Sequence, residues 1–471
     1  MTSMPSPNIV LLCLDTVRKD YYDEYADRLR SLATARFEGM RALSSWSVPS
    51  HASMFTGELP REHGVHSWNR RMAVPESETW FDAIPDYRRV GVSANVYAGP
   101  VFGFDTLFDS FTAISRSKWF PEGMDVQEHI DGTEKDGLAA HREFLRKAMA
   151  HENPWKSLLN GAVLKADDLF QKLPVAKPLD FGGQSIAREL QRELADDRDR
   201  PVFAFANLME AHSPHLPFRG LDDSLYSVPK TFTDHDFDVW DVIAAGGEGY
   251  ESEVRAIREL YGAGVEYLDR LVAGMVHEIQ RETSRDTVFV VTADHGENLG
   301  FAADEGMIHH TSSLSEALLH VPFDVIDPRE ADDVTVPGLA SHADLRGIVE
   351  AVRDGDTLAG FTRDHAEAEI AGPSTASVPD ERADYWRRAQ HAVYDGHERR
   401  KYVRDSLGDV RVWDVGNGPS WQAAVDEDAP ADVWGVDFDD WVALLTAGRD
   451  GDSSDDIDDA AQQRLKELGY L

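Results

Sequence analysis

The sequence has a single cysteine, few basic residues and no long apolar segment. Cys13 is the only cysteine among 471 residues, which excludes an internal disulfide and any zinc site built from four cysteines. No stretch approaches the ~18 consecutive apolar residues that a membrane-spanning helix needs. The apolar run Ile9–Leu14 lacks a basic flank and a following small-residue cleavage site, so it does not indicate a signal peptide. We therefore expect a soluble cytoplasmic protein without a membrane span.

Basic side chains are scarce relative to acidic ones. The chain has 47 lysines and arginines against 85 aspartates and glutamates, a net charge of −38. The acidic excess runs from Asp20 to Asp459 and is not confined to one tail, which favours adaptation of the whole protein to high salt. The sequence shows no basic stripe that could neutralise phosphates, so we do not expect nucleic-acid binding.

Short apolar runs alternate with helical patterns over the first two thirds of the chain. Buried strands are predicted at Asn8–Leu14, Val90–Tyr97, Val202–Leu208 and Thr287–Thr292, and the clearest amphipathic helix is predicted at Ser252–Glu282. This alternation predicts an α/β domain with helices on both faces of a parallel sheet. In such sheets ligands bind beyond the carboxyl ends of the strands.

The pattern of elements changes twice along the chain. Residues 1–372 are predicted to form the catalytic domain, within which the irregular region 115–200 is either a substrate-access insertion or surface packing. Residues 373–471 are predicted to form a small α+β subdomain. It contains an antiparallel sheet from the alternating segments 391–395, 400–405 and 410–415, an acidic linker at 450–459 and a final helix at 458–468.

Acidic side chains stand at the ends of two predicted strands. Asp15 ends the first apolar run, and Asp294 and His295 follow the run at 288–292. Two carboxylates and an imidazole at adjacent strand ends suit a divalent cation. Each piece alone has an ordinary explanation, since an aspartate often caps a helix and a His-Gly pair often forms a turn.

The segment that begins at Ser47 adds a candidate nucleophile. Ser47-Val48-Pro49-Ser50 leads into a helical start rich in small residues. A hydroxyl just before a helix benefits from the helix dipole, which stabilises an anionic oxygen. Serine is a weak nucleophile until a metal or a base activates it, and a cation at Asp15 and Asp294 would supply that activation.

These motifs resemble the three signature segments of sulfatases, within the alkaline phosphatase superfamily. The segments are 8–15, 47–57 and 293–297, and further similar segments lie at 62–65, 103–109, 267–269, 315–322 and 465–471. The resemblance implies a large mixed, mostly parallel sheet flanked by helices, with a small C-terminal antiparallel sheet. With the acidic composition, it indicates a sulfatase-like protein of the haloarchaeal type.

The resemblance implies a metal site and a covalent nucleophile. Asp15 and Asp294 would bind one divalent cation together with Ser47, and His295 would be either a further ligand or a substrate contact. The resemblance ranks Ca²⁺ first, whereas an imidazole among the ligands would favour Mn²⁺ or Zn²⁺ and hard oxygen ligands also suit Mg²⁺. Ser47 takes the place of the cysteine or serine that sulfatases oxidise to formylglycine.

The resemblance also implies roles for several histidines. His212 matches a histidine that contacts the transferring group, with His215 as its rival. His310 matches a position that binds substrate or donates a proton, with His309 as the alternative. His51 stands where sulfatases have an arginine, four residues after the nucleophile, and either contacts Ser47 across one helical turn or caps and packs.

Three functions remain open at this point. The first is hydrolysis of a sulfuric ester of a small molecule or glycan. The second is phosphodiesterase or phosphotransferase activity with unmodified Ser47, because formylglycine formation normally requires the arginine that His51 replaces. The third is a non-catalytic relative that binds such a ligand. The sequence does not indicate the natural substrate or the oligomeric state.

Overall fold

Thirteen strands form two sheets in the described part of the chain. The computed structural model describes residues 6–446 except 116–118, 121, 125, 127–128, 130–136, 171–174, 196–198, 331–332 and 375–377. The main sheet contains β1 (Asn8–Leu14), β2 (Ala35–Arg41), β3 (Arg88–Ser93), β4 (Ser110–Ala113), β5 (Val202–Leu208), β6 (Thr287–Thr292), β7 (Phe323–Ile326) and β8 (Val334–Ser341).

The main sheet is mixed and mostly parallel. Its order is β4-β3-β5-β1-β6-β7-β2-β8. Strands β4, β3, β5, β1 and β6 run parallel, whereas β7 is antiparallel to both of its neighbours. Every residue of β1, β5 and β6 is buried, which explains why these strands read as continuous apolar runs. The predicted fold class is confirmed.

Strand β3 ends earlier than its apolar pattern suggests. It stops at Ser93, whereas the prediction extended to Tyr97. The side chain of Asn95 accepts a hydrogen bond from the backbone N–H of Tyr97 (2.8 Å) and begins a short 3₁₀ turn, Val96–Ala98. The apolar residues of this turn are buried, so periodicity alone could not distinguish them from strand.

Thirteen α-helices of four residues or more lie in the described part of the chain. They are Lys19–Tyr25, Asp27–Leu32, Ser47–Thr56, Pro60–His63, Gly137–Ala150, Pro154–Phe170, Gly183–Ala195, Val239–Ala244, Glu251–Glu282, Glu316–Leu319, Leu345–Asp354, Ala383–Trp386 and Phe438–Thr446. Among the described residues, every helix is too short or too polar to cross a lipid bilayer. The final helix and acidic linker predicted within 450–468 lie outside the described residues.

The long helix Glu251–Glu282 packs on the sheet and fixes the loop after β1. It begins one residue before its predicted start and ends where predicted. The buried Tyr261 hydroxyl donates to the Thr16 carbonyl oxygen (2.6 Å) and accepts from the Arg18 N–H (2.8 Å). The apolar face of this helix therefore also holds the chain that follows Asp15.

The second sheet is antiparallel, as predicted. Its order is β13-β12-β11-β10-β9, and its strands are β9 (His365–Ala371), β10 (Ala389–Asp395), β11 (Arg400–Asp405), β12 (Val410–Asp414) and β13 (Ala423–Val425). Its first strand precedes residue 373, where the sequence placed a domain boundary. The domain limits themselves stay a prediction.

A buried carboxylate joins the two sheets. Glu316 pairs with Arg41 of β2 (2.9 Å) and with Lys401 of β11 (3.1 Å), and it accepts a hydrogen bond from the Tyr394 hydroxyl (2.6 Å). Burial alone would raise the pKa of Glu316, but the two cations lower it to about 2. The carboxylate is therefore charged and compensated from both sheets.

We predict that Glu316→Gln strongly destabilises the protein. It would leave two buried cations without their anion, which costs about 3–5 kcal/mol of unfolding free energy. Because the folded pKa lies below the ordinary value of 4.5, the contribution of Glu316 is present above pH 4.5 and is lost as pH falls toward 2. Urea unfolding at neutral pH measures the effect. Glu427→Gln, which removes an exposed partner of Arg400, is the control and should change little.

Candidate active site

Four neighbouring strands bring polar side chains to one edge of the main sheet. Asn95 follows β3, Asn207 lies near the end of β5, Asp15 follows β1, and Asp294 follows β6. The Asp15 Oδ2 atom accepts hydrogen bonds from the side-chain amides of Asn95 (2.6 Å) and Asn207 (3.0 Å). The predicted strand-end position of the carboxylates thus corresponds to a real cluster.

The two carboxylates are buried and incompletely satisfied. Asp15 and Asp294 are fully buried, and ligand atoms of both residues and of His295 lie within 4.8 Å of one another. Within the described residues, Asp15 Oδ1 and Asp294 Oδ2 have no hydrogen-bond partner. Buried like charges with orphaned oxygens are costly unless a cation compensates them. These residues fit a divalent cation.

The hydrogen bonds of His295 determine its tautomer. Its Nδ1 lies 2.8 Å from the carbonyl oxygen of Gly296, which can only accept, so the proton is on Nδ1. Nε2 therefore presents a lone pair, 3.3 Å from Asp294 Oδ2 and 3.4 Å from Ser47 Oγ. Burial, and then the neighbouring His310, lower the pKa of His295 to about 3, so the ring is neutral at physiological pH.

Thr16 connects the carboxylates through a strained turn. Its φ is 62°, a left-handed conformation that is unfavourable for a β-branched residue. Its N–H donates to Asp294 Oδ1 (3.3 Å), and its carbonyl oxygen accepts from Tyr261. These contacts hold the turn that directs Asp15 and Asp294 toward the same point.

Ser47 is the first residue of the helix Ser47–Thr56. Trp46 precedes it in extended conformation, and the helix ends at Gly57, whose φ of 77° suits glycine. Ser47 Oγ is buried and accepts a hydrogen bond from Asn95 Nδ2 (3.1 Å). Ser50 Oγ donates to the Asp294 carbonyl oxygen, which fixes the helix against β6. Ser47 therefore lies beside the carboxylates, at the positive end of its helix.

His51 lies one turn along the same helix, under Ser47. Its Nδ1 donates to the Ser47 carbonyl oxygen (2.7 Å), and its Nε2 accepts from Asn207 Nδ2 (3.1 Å). The Sγ atom of Cys13 is 3.8 Å from Nε2. The observed contacts of His51 with Ser47 and Asn207 hold backbone and amide groups of the site in place.

The other predicted histidines form two separate groups. The His310 ring lies near that of His295, with ring centroids 4.8 Å apart, and near that of His212, at 5.3 Å. The rivals His215 and His309 instead lie together at the carboxylate of Asp234, a residue that the sequence did not single out. Of the four histidines, His212 and His310 therefore belong to the group next to Ser47.

Glu297 supports this histidine group. Both of its carboxylate oxygens lie 3.2 Å from His310 Nδ1, which donates to them. Burial alone would raise the pKa of Glu297, but His310 lowers it to about 2, so the carboxylate is ionised. Burial lowers the pKa of His212. His310 thus donates from Nδ1 to an ionised carboxylate and lies next to a neutral His295.

Three site residues were missed by the sequence reasoning. Asn95 was placed inside a strand, Asn207 was treated as ordinary strand sequence, and Glu297 was quoted only as part of a motif. The strand-end rule that identified Asp15 could have identified the two asparagines, since amides next to a metal-binding carboxylate commonly orient it.

One edge of the mixed sheet thus carries buried carboxylates, a hydroxyl and histidines. The model of the family described as Sulfatase matches residues 7–347, and the chain belongs to that family. The resemblance drawn from the motifs is confirmed. No curated protein is significantly similar in sequence to the chain.

Solved structures share the fold at low sequence identity. The phosphonate monoester hydrolase of Agrobacterium radiobacter aligns with a TM-score of 0.57 and 16% identity over 88% of this chain and 90% of that one. A protein in complex with its substrate D-glucosamine-2-N,6-O-disulfate gives 0.56 and 13% over 87% and 91%. A member of the alkaline phosphatase superfamily from Vibrio parahaemolyticus gives 0.52 and 12% over 100% and 90%.

We predict that Asn207→Ala weakens metal binding by about 10–100-fold, because Asp15 loses a hydrogen bond that orients it. Calorimetric titration with Ca²⁺ and Mn²⁺ measures the affinity. Asn8→Ala is the matched control, because Asn8 is a buried asparagine that bonds β5 and β6 at the opposite end of β1. The control should lower stability without changing metal affinity, and equal losses in both variants would contradict the role of Asn207.

Proposed function

We propose that the protein hydrolyses sulfuric esters with Ser47 as the nucleophile. The observation that carries the proposal is the position of Ser47 Oγ. It lies 3.4 Å from His295 Nε2 and shares the amide of Asn95 with Asp15. Membership of the sulfatase family supports the reaction class. The third hypothesis, a non-catalytic binder, has less support because a full set of candidate catalytic groups is present.

Asp15, Asp294 and His295, with Ser47, would hold one divalent cation. When bound, the cation would lower the pKa of the Ser47 hydroxyl and neutralise charge on the transferring group. Carboxylate oxygens favour Ca²⁺, which we rank first, while the imidazole keeps Mn²⁺ and Zn²⁺ as alternatives alongside Mg²⁺. The orphaned carboxylate oxygens are consistent with such a ligand.

Charge balance at the site favours a monoanionic ester. A divalent cation would cancel Asp15 and Asp294, while the ionised Glu297 adds negative charge nearby. In the described residues, no lysine or arginine hydrogen-bonds or ion-pairs with Asp15, Ser47, Asp294 or His295. A dianion such as a phosphate monoester would therefore lack compensation in a buried site. Sulfate monoesters carry one negative charge.

The histidines would assist the proton transfer and the binding of the transferring group. Ser47 Oγ would lose its hydroxyl proton to solvent and form a bond to sulfur as the bond to the leaving alcohol breaks, and the alcohol oxygen then needs a proton. We assign the donation of this proton to His310, whose Nδ1 is hydrogen-bonded to Glu297. His212 would contact the transferring group. Water then releases sulfate from the covalent intermediate and restores the nucleophile.

The second candidate is a phosphodiesterase or phosphotransferase with unmodified Ser47. The observation that favours it is His51, which stands where formylglycine-forming sequences carry arginine and which is engaged by Ser47 and Asn207. A phosphodiester is also monoanionic, so the charge argument admits it. Peptide mass decides the form of Ser47, because formylglycine lacks two hydrogens of serine (about 2 Da).

We predict that Ser47→Ala abolishes turnover, with kcat falling on the order of 10⁴-fold or more. Release of nitrophenol from its sulfate ester, in molar salt with Ca²⁺, measures it, because the charge of −38 favours compaction at high salt. Ser53→Ala, a buried serine of the same helix that contacts His63, should retain activity. Full activity of Ser47→Ala would exclude the nucleophile, and turnover only of bis-nitrophenyl phosphate would favour the second candidate.

We predict that His310→Gln lowers kcat by about 10²–10⁴-fold on alkyl sulfates but far less on nitrophenyl sulfate. A good leaving group departs without protonation, so removal of the acid should matter little for nitrophenyl esters. The dependence of kcat on the leaving-group pKa measures the effect. Equal losses on both substrates would show that His310 binds substrate and does not donate the proton.

A further inference from the structure

We infer that His215, Asp234 and His309 form a second metal site, distinct from the one at Asp15. Ligand atoms of the three residues lie within 4.8 Å of one another. His215 Nδ1 is 2.7 Å and His309 Nε2 is 3.5 Å from the same carboxylate oxygen, Asp234 Oδ2. The site goes beyond the proposed ester hydrolysis and does not depend on it.

The hydrogen bonding of His215 points to a cation. Its Nδ1 lies 2.7 Å from Asp234 Oδ2 and its Nε2 lies 3.3 Å from the Ala211 carbonyl oxygen, so both ring nitrogens face oxygens that can only accept. A neutral imidazole carries one N–H, so one of its nitrogens presents a lone pair to an acceptor. A second proton or a metal ion would compensate that contact.

Two further observations favour a metal over a second proton on His215. Asp234 Oδ1 and His309 Nε2 are buried atoms without a hydrogen-bond partner among the described residues, although Asp234 is only 2% exposed. A proton on His215 would leave both atoms unsatisfied. A metal ion would use His309 Nε2 as a ligand and draw on either oxygen of Asp234.

The surroundings have the features of a built site. Ser213 Oγ donates to Asp234 Oδ2 (3.1 Å), and the Ala211 carbonyl oxygen lies 3.3 Å from His215 Nε2, so outer polar contacts orient the ligands. His309 has a φ of 58°, a strained conformation that surrounding interactions must maintain. These are the supports that metal-ligating histidines and carboxylates commonly have.

The ligand chemistry favours Zn²⁺ at this site, whereas Ca²⁺ ranks first at the site of Asp15. Two imidazoles and one carboxylate suit Zn²⁺ and related transition ions, and three protein ligands leave a fourth position open. The ion would also connect the loops that carry His212 and His310, because His215 and His309 belong to the same two loops. Its expected role is to fix the positions of these loops relative to each other.

The test isolates the second site with Co²⁺ as the probe. In an Asp15→Asn/Asp294→Asn background, which disables the first site, we expect one equivalent of Co²⁺ to bind with a visible d–d absorption band. Adding Asp234→Asn or His309→Ala should weaken binding by at least about tenfold and remove the band. Circular dichroism confirms that each variant is folded.

His235→Ala is the matched control, because His235 is the exposed neighbour of Asp234 and should leave Co²⁺ binding unchanged. Zn²⁺ should displace Co²⁺ in competition. If the double-variant background binds no Co²⁺, or if binding persists unchanged without Asp234 and His309 in folded protein, the cluster is an ion pair and the inference is overturned. Neither result depends on turnover, so the outcome is separate from that of the proposed hydrolase.

Discussion

The site depends on two buried carboxylates held close together. Asp15 and Asp294 lie at the ends of adjacent strands, fully buried, with ligand atoms within 4.8 Å of each other and of His295. In a buried environment of low polarity the two carboxylates repel each other strongly. Each has one oxygen that accepts no hydrogen bond from the described residues, so this repulsion is not reduced there. The polar groups around them, namely amides, a hydroxyl and a neutral imidazole, stabilise the pair only in part. The compensation that remains is what a divalent cation provides.

The choice of amides around these carboxylates has a consequence for the substrate. Asn95 and Asn207 orient Asp15 without adding positive charge, so the charge of a bound cation is not duplicated by arginine or lysine. The same Asn95 amide reaches Ser47, which fixes the hydroxyl relative to the carboxylate. The overall charge of −38 already repels an anionic ester, so the site itself should not add to that repulsion. A cation whose charge is balanced by two carboxylates, with neutral amides around them, would meet this requirement for an ester with one negative charge.

Sequence patterns predicted the site residues whose positions follow from the local sequence and missed those whose positions depend on how the strands pair. Asp15 and Asp294 follow long apolar runs, so their strand-end position is visible in the chain itself. Asn207 approaches Asp15 only because β5 pairs with β1 so that Cys13 lies opposite it, a non-local fact. The sequence did not identify Asn95 as a strand-end residue, because the buried turn after it is as apolar as a strand. His212 and His215 are three residues apart, and only the path of the loop shows which of them is near His310.

The paths of two loops couple the position of the histidines beside Ser47 to that of the histidines at Asp234. One loop carries His212 and His215 and the other carries His310 and its neighbour His309, so each loop supplies one ring to the group beside Ser47 and one to Asp234. The bonds at Asp234 are therefore not independent of the catalytic geometry. A shift of His309 away from Asp234 would move the adjacent backbone of His310, and with it the contact to Glu297. If His310 is the proton donor that we propose, its placement needs support from residues that do not contact the substrate, and the Asp234 cluster lies where it can give that support.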